Sequence, residues 1–332
     1  AELQKQKIIR NSFLIGFVLT LALAFFIFKS YREKKRANIE LQRKNEEILQ
    51  QKEEIESQRD EIEKQKEIAE NQRDQIEIQN KVITSSINYA QKIQAAVLPL
   101  EETINEIFPD NFILFKPRDI VSGDFYWISK NEGKSILVLA DCTGHGVPGA
   151  FMSMMGISYL NELVNRADLN DPAEILDVMR INVIQSLHQT GIFGESKDGM
   201  DMAILVFDED FRKVLYAGAN LPVYLIRNNE LIEFRPDKMP IGFYLKGVME
   251  PFNDIEIELQ KGDTLYLFSD GFPDQFGGSE GSKLKYKPFR KLLLNHSQKP
   301  LPQQKKDLED EFNNWKGDLS QIDDVLVMGV RI

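Results

Sequence analysis

A long stretch without helix-breaking residues is the feature that most constrains this chain. Residues 33–98 contain neither proline nor glycine, and an apolar residue recurs every seven positions from Leu41 to Ile83. This spacing predicts a helix that pairs as a coiled coil over residues 33–84, with a single solvated helix as the alternative. The repeated residues are Leu41, Ile48, Ile55, Ile62, Ala69, Ile76 and Ile83, and the glutamines three positions later are Gln51, Gln58, Gln65, Gln72 and Gln79.

Glutamine is an unusual residue for the second row of a coiled-coil seam. Polar seam residues lower the stability of a coiled coil, so this seam is expected to be weak. A weak seam can slip or rotate, which makes the rod a candidate signal transmitter. A passive spacer is the alternative.

Residues 13–28 carry no charged side chain. A helix of this length spans about 24 Å, short of the ~30 Å hydrocarbon core. The flanking Arg10, Lys29 and Arg32 can extend along the apolar surface and make up the difference. No A-x-A cleavage site follows, so we predict a membrane span at about residues 12–29, within a segment of residues 1–32. A signal peptide and a buried core helix are the alternatives.

The flanking charges indicate the orientation of this span. Five lysines and arginines follow it closely and three precede it. The positive-inside rule therefore places the C-terminal side in the cytoplasm, which predicts a single-pass protein of the bacterial inner membrane. Because the chain begins with Ala1 rather than Met, we expect a further N-terminal part outside the membrane.

The composition excludes several classes of protein. The chain has 52 Asp and Glu against 41 Lys and Arg, and residues 41–332 carry a net charge of −16. So acidic a surface is poorly suited to nucleic acid, which requires cations to replace its counterions. The single cysteine, Cys142, excludes a disulfide framework and a cysteine-rich zinc site.

Residues 85–99 are predicted to continue the helix as far as Pro99 with a changed apolar spacing, and thus to pack against the domain of residues 100–332. In that domain, consecutive strands joined by short turns predict an α+β fold with antiparallel sheets and segregated helices. Helices are predicted over residues 148–166, 172–189, 287–295 and 303–315. The predicted strands are Phe112–Phe115, Asp124–Ile128, Ser135–Ala140, Met202–Phe207, Val214–Tyr216, Val223–Ile226, Ile255–Leu259, Leu265–Phe268 and Val325–Val330.

Aspartates stand at the ends of four apolar strands. Asp124 begins the run DFYWI, Asp141 ends ILVLA, Asp270 ends TLYLFS, and the pair Asp323 and Asp324 precedes VLVMGV. If these carboxylates converge, their mutual repulsion requires cations. Mg²⁺ and Mn²⁺ prefer hard oxygen ligands such as carboxylates. Two such ions can bind a phosphate group and promote its in-line displacement. Spacing alone does not establish that the carboxylates converge.

Four ordered motifs, SGDFYW, LADCTGHGVPGAFMSM, LFSDGFPDQ and QIDDVLVMGVR, carry a resemblance to a known family. Together they resemble the metal-dependent protein phosphatases of the type 2C superfamily. The most similar branch is that of stage II sporulation protein E and the serine phosphatases that regulate sigma factors. The resemblance covers about residues 85–332. Asp274 and Leu326 differ from the residues usual in that branch, so they bear on the assignment to a subgroup of the family. None of the metal ligands that the family requires is missing.

The resemblance implies a four-layer αββα sandwich with two Mn²⁺ or Mg²⁺ ions at one edge of the sheets. It implies that Asp124, Asp141, Asp270 and Asp323 are the catalytic metal ligands, with Asp141 bridging the ions. The backbone carbonyl of Cys142 would add an oxygen, and Asp324 is a less certain contributor. A hydroxide activated by the two ions would then attack a phosphoserine or phosphothreonine without a covalent phosphoenzyme.

Other polar residues near these motifs are weaker candidates for a catalytic or phosphate-binding role. Cys142 lacks the loop of a cysteine phosphatase, so a packing role is favoured over a nucleophilic one. His145 is interpreted in the same way, as a loop residue rather than an acid or ligand. Arg118 is a candidate phosphate contact, although a solvated surface arginine is the more frequent case.

Two further features lie outside the four motifs. Asp198 and Asp201 precede a predicted strand, and one of them is a candidate ligand of a weaker third ion. Residues 236–244 resemble a segment that lies near the substrate in this family, with an ordinary hairpin loop as an equal alternative.

Taken together, these features predict a membrane-tethered protein serine/threonine phosphatase that forms a parallel homodimer and is regulated through the coiled coil. The resemblance suggests a phosphorylated anti-sigma-factor antagonist as the substrate. A catalytically inactive scaffold that binds a phosphoprotein is the alternative. A sensor histidine kinase is disfavoured because residues 33–98 contain no histidine, and the acidic charge disfavours a nuclease.

Overall fold

The computed structural model describes residues 2–131, 133–164, 171–192, 197–244 and 247–332. The chain divides into two compact units, one that extends to Lys81 and one from Val82 to Ile332. Helix α1, Glu2–Val97, provides the first unit and the beginning of the second. This helix confirms the prediction made from the lack of proline and glycine in residues 33–98.

In the first unit, α1 presents its apolar residues to solvent. The heptad residues Ile48 and Ile62 are 59% and 64% exposed in the single chain. Charged side chains four residues apart form pairs on the same helix, such as Arg43 with Glu47 and Lys81 with Glu77. Such pairs stabilise the helix itself, whereas the apolar row has no partner among the described residues of this one chain. Pairing over residues 33–84 remains a prediction.

The N-terminal part of α1 is a candidate membrane span by length and composition. It contains an 18-residue window of mean hydropathy 2.3, none of it buried. A signal sequence satisfies the same test, so the span within residues 1–32 remains a prediction.

The second unit contains two five-stranded sheets and a small two-stranded one. The helices after α1 are α2 (Glu101–Ile107), α3 (Gly146–Val164), α4 (Pro172–Ser186), α5 (Gly271–Asp274), α6 (Tyr286–His296) and α7 (Leu301–Lys316). The strands are β1 (Asn111–Lys116), β2 (Phe125–Asn131), β3 (Lys134–Cys142), β4 (Met200–Phe207), β5 (Lys213–Ala219), β6 (Val223–Arg227), β7 (Glu230–Phe234), β8 (Ile255–Glu258), β9 (Thr264–Phe268), β10 (Phe276–Gly277), β11 (Ser282–Lys283) and β12 (Val325–Arg331).

Within each large sheet, neighbouring strands run antiparallel. One sheet has the order β1-β12-β9-β6-β7 and the other β2-β3-β4-β5-β8. The ladders of both sheets are antiparallel, which confirms the prediction of antiparallel sheets. Chain-adjacent strands such as β6 and β7 are joined by short turns, here Asn228 and Asn229, as the sequence indicates.

Alternating side chains of the strands enter different layers of the core. In β3, Ile136 and Val138 pack with α3 and α4, whereas Leu137 and Leu139 lie in the layer between the two sheets. In β12, Val327 packs with α5, α6 and α7. Because side chains of a strand point alternately to its two faces, each sheet is covered by helices outside and by the other sheet inside. This is the predicted α+β arrangement of four layers.

Some elements differ from the predictions. Strand β7 was not predicted, because its ELIEF segment lies at a sheet edge with only partly buried residues and has the weak pattern of an edge strand. Helix α2 was not predicted either. Helix α3 ends at Val164, and the last two residues of its predicted range lie outside the described residues. Asp141 lies inside β3 rather than after it, since the strand continues to Cys142.

Candidate active site

Three aspartates of one sheet lie at the same end of adjacent strands. Asp141 of β3 stands directly opposite Asp201 of β4 in the antiparallel ladder. Asp124 immediately precedes β2, whose first residue, Phe125, faces Ala140 of β3. The register of this sheet therefore brings together Asp124, Asp141 and Asp201.

The other sheet supplies carboxylates at the corresponding end of its strands. Asp270 follows β9 and stands directly before α5, and Asp323 lies two residues before β12. Strands β9 and β12 are antiparallel neighbours, so the end of one lies beside the beginning of the other. The Ser269 N–H donates to the carbonyl oxygen of Leu326 at 2.9 Å, which holds the two segments together.

The predicted aspartates lie close enough to repel one another. Burial raises the pKa of Asp124 well above its ordinary value, and the negative charge of Asp141 adds to this. Burial also raises the pKa of Asp141, with contributions from Asp270, Asp201 and Asp323. Each carboxylate therefore makes ionisation of the others less favourable.

The pKa values of two aspartates in this cluster are raised to about 6. Burial raises the pKa of Asp270 to about 6, with repulsion from Asp323 as the next cause and a small opposing effect of Lys283. Burial raises the pKa of Asp201 to about 6, although a hydrogen bond from Asn220 opposes the shift. Burial is also the main cause of the raised pKa of Asp323.

Asp124 has an unsatisfied oxygen. Its side chain is 2% exposed, and the Oδ2 atom has no hydrogen-bond partner among the described residues. An unpaired buried carboxylate oxygen is costly unless a cation or a proton accompanies it. Hard carboxylate oxygens are the donors that Mg²⁺ and Mn²⁺ prefer, so the residues present fit such ions. Within the described ranges, however, no group of three or more His, Cys, Asp and Glu residues is already arranged to hold one.

Both side-chain oxygens of Asp324 accept hydrogen bonds from backbone N–H groups. Its Oδ1 accepts from the N–H of Arg118 and its Oδ2 from the N–H of Gly123, each at 2.7 Å. The side chain is 2% exposed. Asp324 therefore holds the segment that leads into Asp124, a positioning function that sequence spacing did not reveal.

Cys142 lies in β3 with its side chain buried. Burial, followed by the charges of Asp141 and Asp124, raises the pKa of its thiol well above the ordinary value. A nucleophilic cysteine requires the opposite, a lowered pKa. The structure therefore supports the packing interpretation of this side chain, while its backbone carbonyl remains available as the predicted ligand.

Arg118 and His145 lie in loops near the carboxylates. The Arg118 Nη1 donates to the Ile322 carbonyl at 2.8 Å, directly before Asp323. His145 Nδ1 lies 2.7 Å from Asp119 Oδ2, so its ring is paired with a loop carboxylate, in keeping with the loop-packing interpretation. The guanidinium of Arg118 is thus bonded to the residue that precedes Asp323 in the chain.

Asp201 and Asp198 differ in their positions. Asp201 was predicted to precede a strand but is the second residue of β4, where it faces Asp141. Asp198 is exposed, and its carbonyl accepts a hydrogen bond from Gln189 at 2.6 Å. Only the cross-strand register distinguishes the two, and it is not visible in the sequence.

The glycines of the second motif allow three backbone segments to meet beside the site. A Cβ atom on Gly149 would lie 2.4 Å from the carbonyl oxygen of Gly144, and one on Gly123 would lie 2.5 Å from the same oxygen. Gly144 has φ +84°, a conformation that favours glycine. Any side chain at positions 123 or 149 would therefore push apart the loops that precede Asp124 and follow Asp141.

Comparisons with known proteins agree with this geometry. Residues 131–332 match the family model described as Stage II sporulation protein E (SpoIIE). Phosphoserine phosphatase RsbU of Bacillus subtilis (strain 168) is 24% identical over 225 residues, which cover 64% of this chain. The match spans 60% of the length of that curated relative.

Two solved structures have a similar fold. The SiaA-PP2C domain of Pseudomonas aeruginosa aligns with a TM-score of 0.68 and 31% identity, covering 76% of this chain and 98% of that one. The PP2C phosphatase domain of SpoIIE from Bacillus subtilis, solved with a fragment of its regulatory domain, aligns with a TM-score of 0.54 and 18% identity. That alignment covers 67% of this chain and 63% of that one, and it concerns the fold alone.

Proposed function

Because the chain belongs to the family of stage II sporulation protein E, we propose that it is a metal-dependent protein serine/threonine phosphatase. It would hydrolyse phosphoserine or phosphothreonine on a signalling protein. The observation that carries this proposal is the buried Asp124, whose Oδ2 has no partner in the described structure and whose neighbours are further carboxylates.

The metal ligands proposed from the resemblance are the carboxylates of Asp124, Asp141, Asp270 and Asp323, with the carbonyl of Cys142. They would hold two Mn²⁺ or Mg²⁺ ions, which when bound would supply positive charge and Lewis-acid activation of water and phosphate. Asp141 stands opposite Asp201 in the β3–β4 ladder, and it is also repelled by Asp270, which follows β9 of the other sheet. This central position supports its proposed role as the ligand common to both ions. Asp201 is the better candidate for a weaker third ion.

The protein groups around the cluster would orient the phosphate. The Arg118 guanidinium is held at one nitrogen by the Ile322 carbonyl, and its remaining N–H groups would donate to phosphoryl oxygens. Asp324 would keep Arg118 and Gly123 in place through their backbone N–H groups. We therefore propose Asp324 as a positioning residue more than as a metal ligand.

The proposal is tested by phosphate release from phosphoserine peptides. The full chain in detergent is expected to release phosphate with Mn²⁺ and to stop when EDTA is added. Asp141→Asn should lose at least about a hundredfold in kcat, because a shared ligand is removed. Asp310→Asn, an exposed aspartate on α7, is the matched control and should leave the rate unchanged.

The inactive scaffold remains the second candidate, and metal binding separates the two. Calorimetric titration of Mn²⁺ into the same protein should give binding that Asp141→Asn weakens. Turnover that survives EDTA or Asp141→Asn would overturn the metal-dependent mechanism. A wild-type chain that neither binds Mn²⁺ nor turns over phosphopeptides would favour the scaffold.

The location and assembly of the protein belong to the same proposal. The uncharged, unburied window of α1 supports a single span at about residues 12–29 that tethers the phosphatase to the inner face of a bacterial membrane. The exposed heptad residues support a parallel homodimer through residues 33–84, with residues 85–99 leading into the phosphatase domain of residues 100–332. The substrate class expected from the resemblance is a phosphorylated anti-sigma-factor antagonist.

A further inference from the structure

A wide cleft opens beside the carboxylate cluster. Its volume is about 910 Å³, and it lies between strands β6 and β7, helix α6 and the segment that follows β7. The described residues that line it and are used below are Asn220, Pro222, Arg235, Lys238, Tyr286 and Arg290. This volume lies within the range of ligand-binding clefts and leaves room for more than a phosphate group.

Two residues connect this cleft to the carboxylate cluster. The side-chain amide of Asn220 lines the cleft and donates to Asp201 Oδ1 at 2.8 Å. Tyr286 of α6 also lines the cleft, and the pKa of its hydroxyl is raised by burial and then by the charges of Asp270 and Asp274. A peptide in the cleft would therefore extend away from a phosphate bound at the carboxylates.

The charge of the cleft is opposite to that of the chain. Arg235 and Lys238 are exposed, and no carboxylate of the described residues lies within ion-pair distance of either. Arg290 is already paired with Glu233 at 2.7 Å and also donates to the Tyr224 hydroxyl. Arg235 and Lys238 thus have no acidic partner among the described residues, while the third cation of the cleft, Arg290, is neutralised by Glu233. The chain as a whole has a net charge of −11.

Much of the uncharged lining consists of proline and aromatic side chains. Pro222, Pro240, Phe243 and Tyr244 line the cleft alongside the two unpaired cations. Prolines and aromatic rings offer contact surface at a low cost in conformational entropy. The cleft therefore combines an apolar surface with positive charge, which complements a segment that carries acidic and apolar side chains.

We propose that this cleft binds the acidic segment beside the phosphorylated residue of the protein substrate, and that Arg235 and Lys238 select for it. This inference rests on the proposed phosphatase function and specifies its substrate. The two cations would attract carboxylates of the substrate during its approach and hold them after binding. Basic sequences beside the phosphoserine would be rejected by the same two side chains.

The test compares two phosphoserine peptides of equal length, one with aspartates and one with lysines beside the phosphoserine. The full chain in detergent is assayed with each peptide and with p-nitrophenyl phosphate, which has no flanking segment and gives the reference rate. The variant Arg235→Glu/Lys238→Glu is compared with Lys305→Glu/Lys306→Glu, the same change of charge at exposed positions of α7 that do not line the cleft.

The expected result is a change of preference. Relative to the reference rate, kcat/KM for the acidic peptide should fall about tenfold in the cleft variant, since two attractive charges are replaced by two repulsive ones. The basic peptide should become the better substrate, and the α7 variant should retain the wild-type preference. The preference of the wild type should also weaken as salt is added.

Different results would reject different statements. If p-nitrophenyl phosphate and both peptides are hydrolysed but the cleft variant keeps the wild-type preference, the cleft assignment is wrong and the phosphatase proposal stands. If the α7 variant changes the preference equally, net charge rather than the cleft is responsible, and the assignment is again wrong. If no substrate is hydrolysed with Mn²⁺ by the wild type, the phosphatase proposal fails, and the cleft inference fails with it.

Discussion

The side chain of Gln94 and the backbone of Ser122 exchange two hydrogen bonds. The Gln94 Nε2 donates to the Ser122 carbonyl at 2.6 Å, and the Ser122 N–H donates to Gln94 Oε1 at 3.1 Å. The same Nε2 also donates to Ser153 Oγ on α3 at 2.8 Å. The last turns of α1 are thereby bonded to the segment that directly precedes Asp124.

Substitution of Gln94 should weaken both the fold and the site. Gln94→Ala leaves the buried N–H of Ser122 without its partner, and its carbonyl keeps only the longer hydrogen bond from Ser153 Oγ at 3.3 Å. The free energy of unfolding should therefore fall by about 1–3 kcal/mol. Phosphatase activity should fall as well, because the segment before Asp124 is less well held. Urea unfolding and phosphate release measure the two effects.

The matched control for Gln94 is Gln91→Ala, one turn earlier on the same helix, where the side chain is exposed. It should leave both quantities unchanged. Equal effects of the two substitutions would show that helix propensity, rather than the bonds to Ser122, is responsible.

The metal-free protein should lose stability as the pH rises through the weakly acidic range. The pKa values of Asp201 and Asp270 are raised to about 6 in the folded chain, against an ordinary value of 3.8. Below pH 3.8 both states are protonated, and between 3.8 and about 6 the unfolded state ionises first. The folded state then binds more protons, so this contribution to the free energy of unfolding falls with rising pH.

Asp270→Asn isolates this effect. In EDTA the variant should be more stable than the wild type at about pH 8, and the difference should shrink toward about pH 4. Addition of Mn²⁺ at high pH should stabilise the wild type and much less the variant. Urea unfolding across the pH range measures this, and a difference that does not depend on pH would contradict the buried-repulsion explanation.

Cys142→Ala should retain most of the phosphatase activity. The thiol is buried with a raised pKa, and the substitution keeps the backbone carbonyl that is the predicted ligand. The rate with Mn²⁺ should stay within a few fold of the wild-type rate. A loss of rate as large as that expected for Asp141→Asn would instead support a nucleophilic role for Cys142, which the structure disfavours.

Insertions into the rod test whether it transmits a signal. Three or four extra residues after Gln58 displace the apolar row of the helix, whereas seven restore it. If the rod couples the membrane to the phosphatase, the short insertions should change the phosphatase rate in membranes and the seven-residue insertion should not. Equal rates for all three insertions would favour the passive spacer.

The locally encoded features were predictable from the sequence. Short apolar runs identified most strands, including β3 and β12, because a strand buried on both faces has a continuous apolar run. The aspartates at the strand ends were visible for the same reason, since each one interrupts such a run. The edge strand β7 has no such pattern and was missed.

The apolar spacing before Pro99 predicted that this part of the helix packs against the following domain, and that prediction was only partly correct. This part of α1 does contact the following domain, but the buried residue is the polar Gln94, while Ile93 is 46% exposed. A pattern of apolar residues predicts burial by hydrophobicity alone. It cannot foresee a glutamine whose amide is matched to a particular backbone segment 28 residues away.

The amino-acid sequence by itself determined the long helix, the alternating strands and the order of the four motifs, because these depend on propensity and spacing between near neighbours. Only the tertiary structure decided that Asp201 faces Asp141, that Asp324 holds Gly123, and that Arg235 and Lys238 share a cleft. Each of these relationships joins strands or loops that are distant in the chain. Their register follows from the packing of two sheets and their helices as a whole, which no local pattern contains.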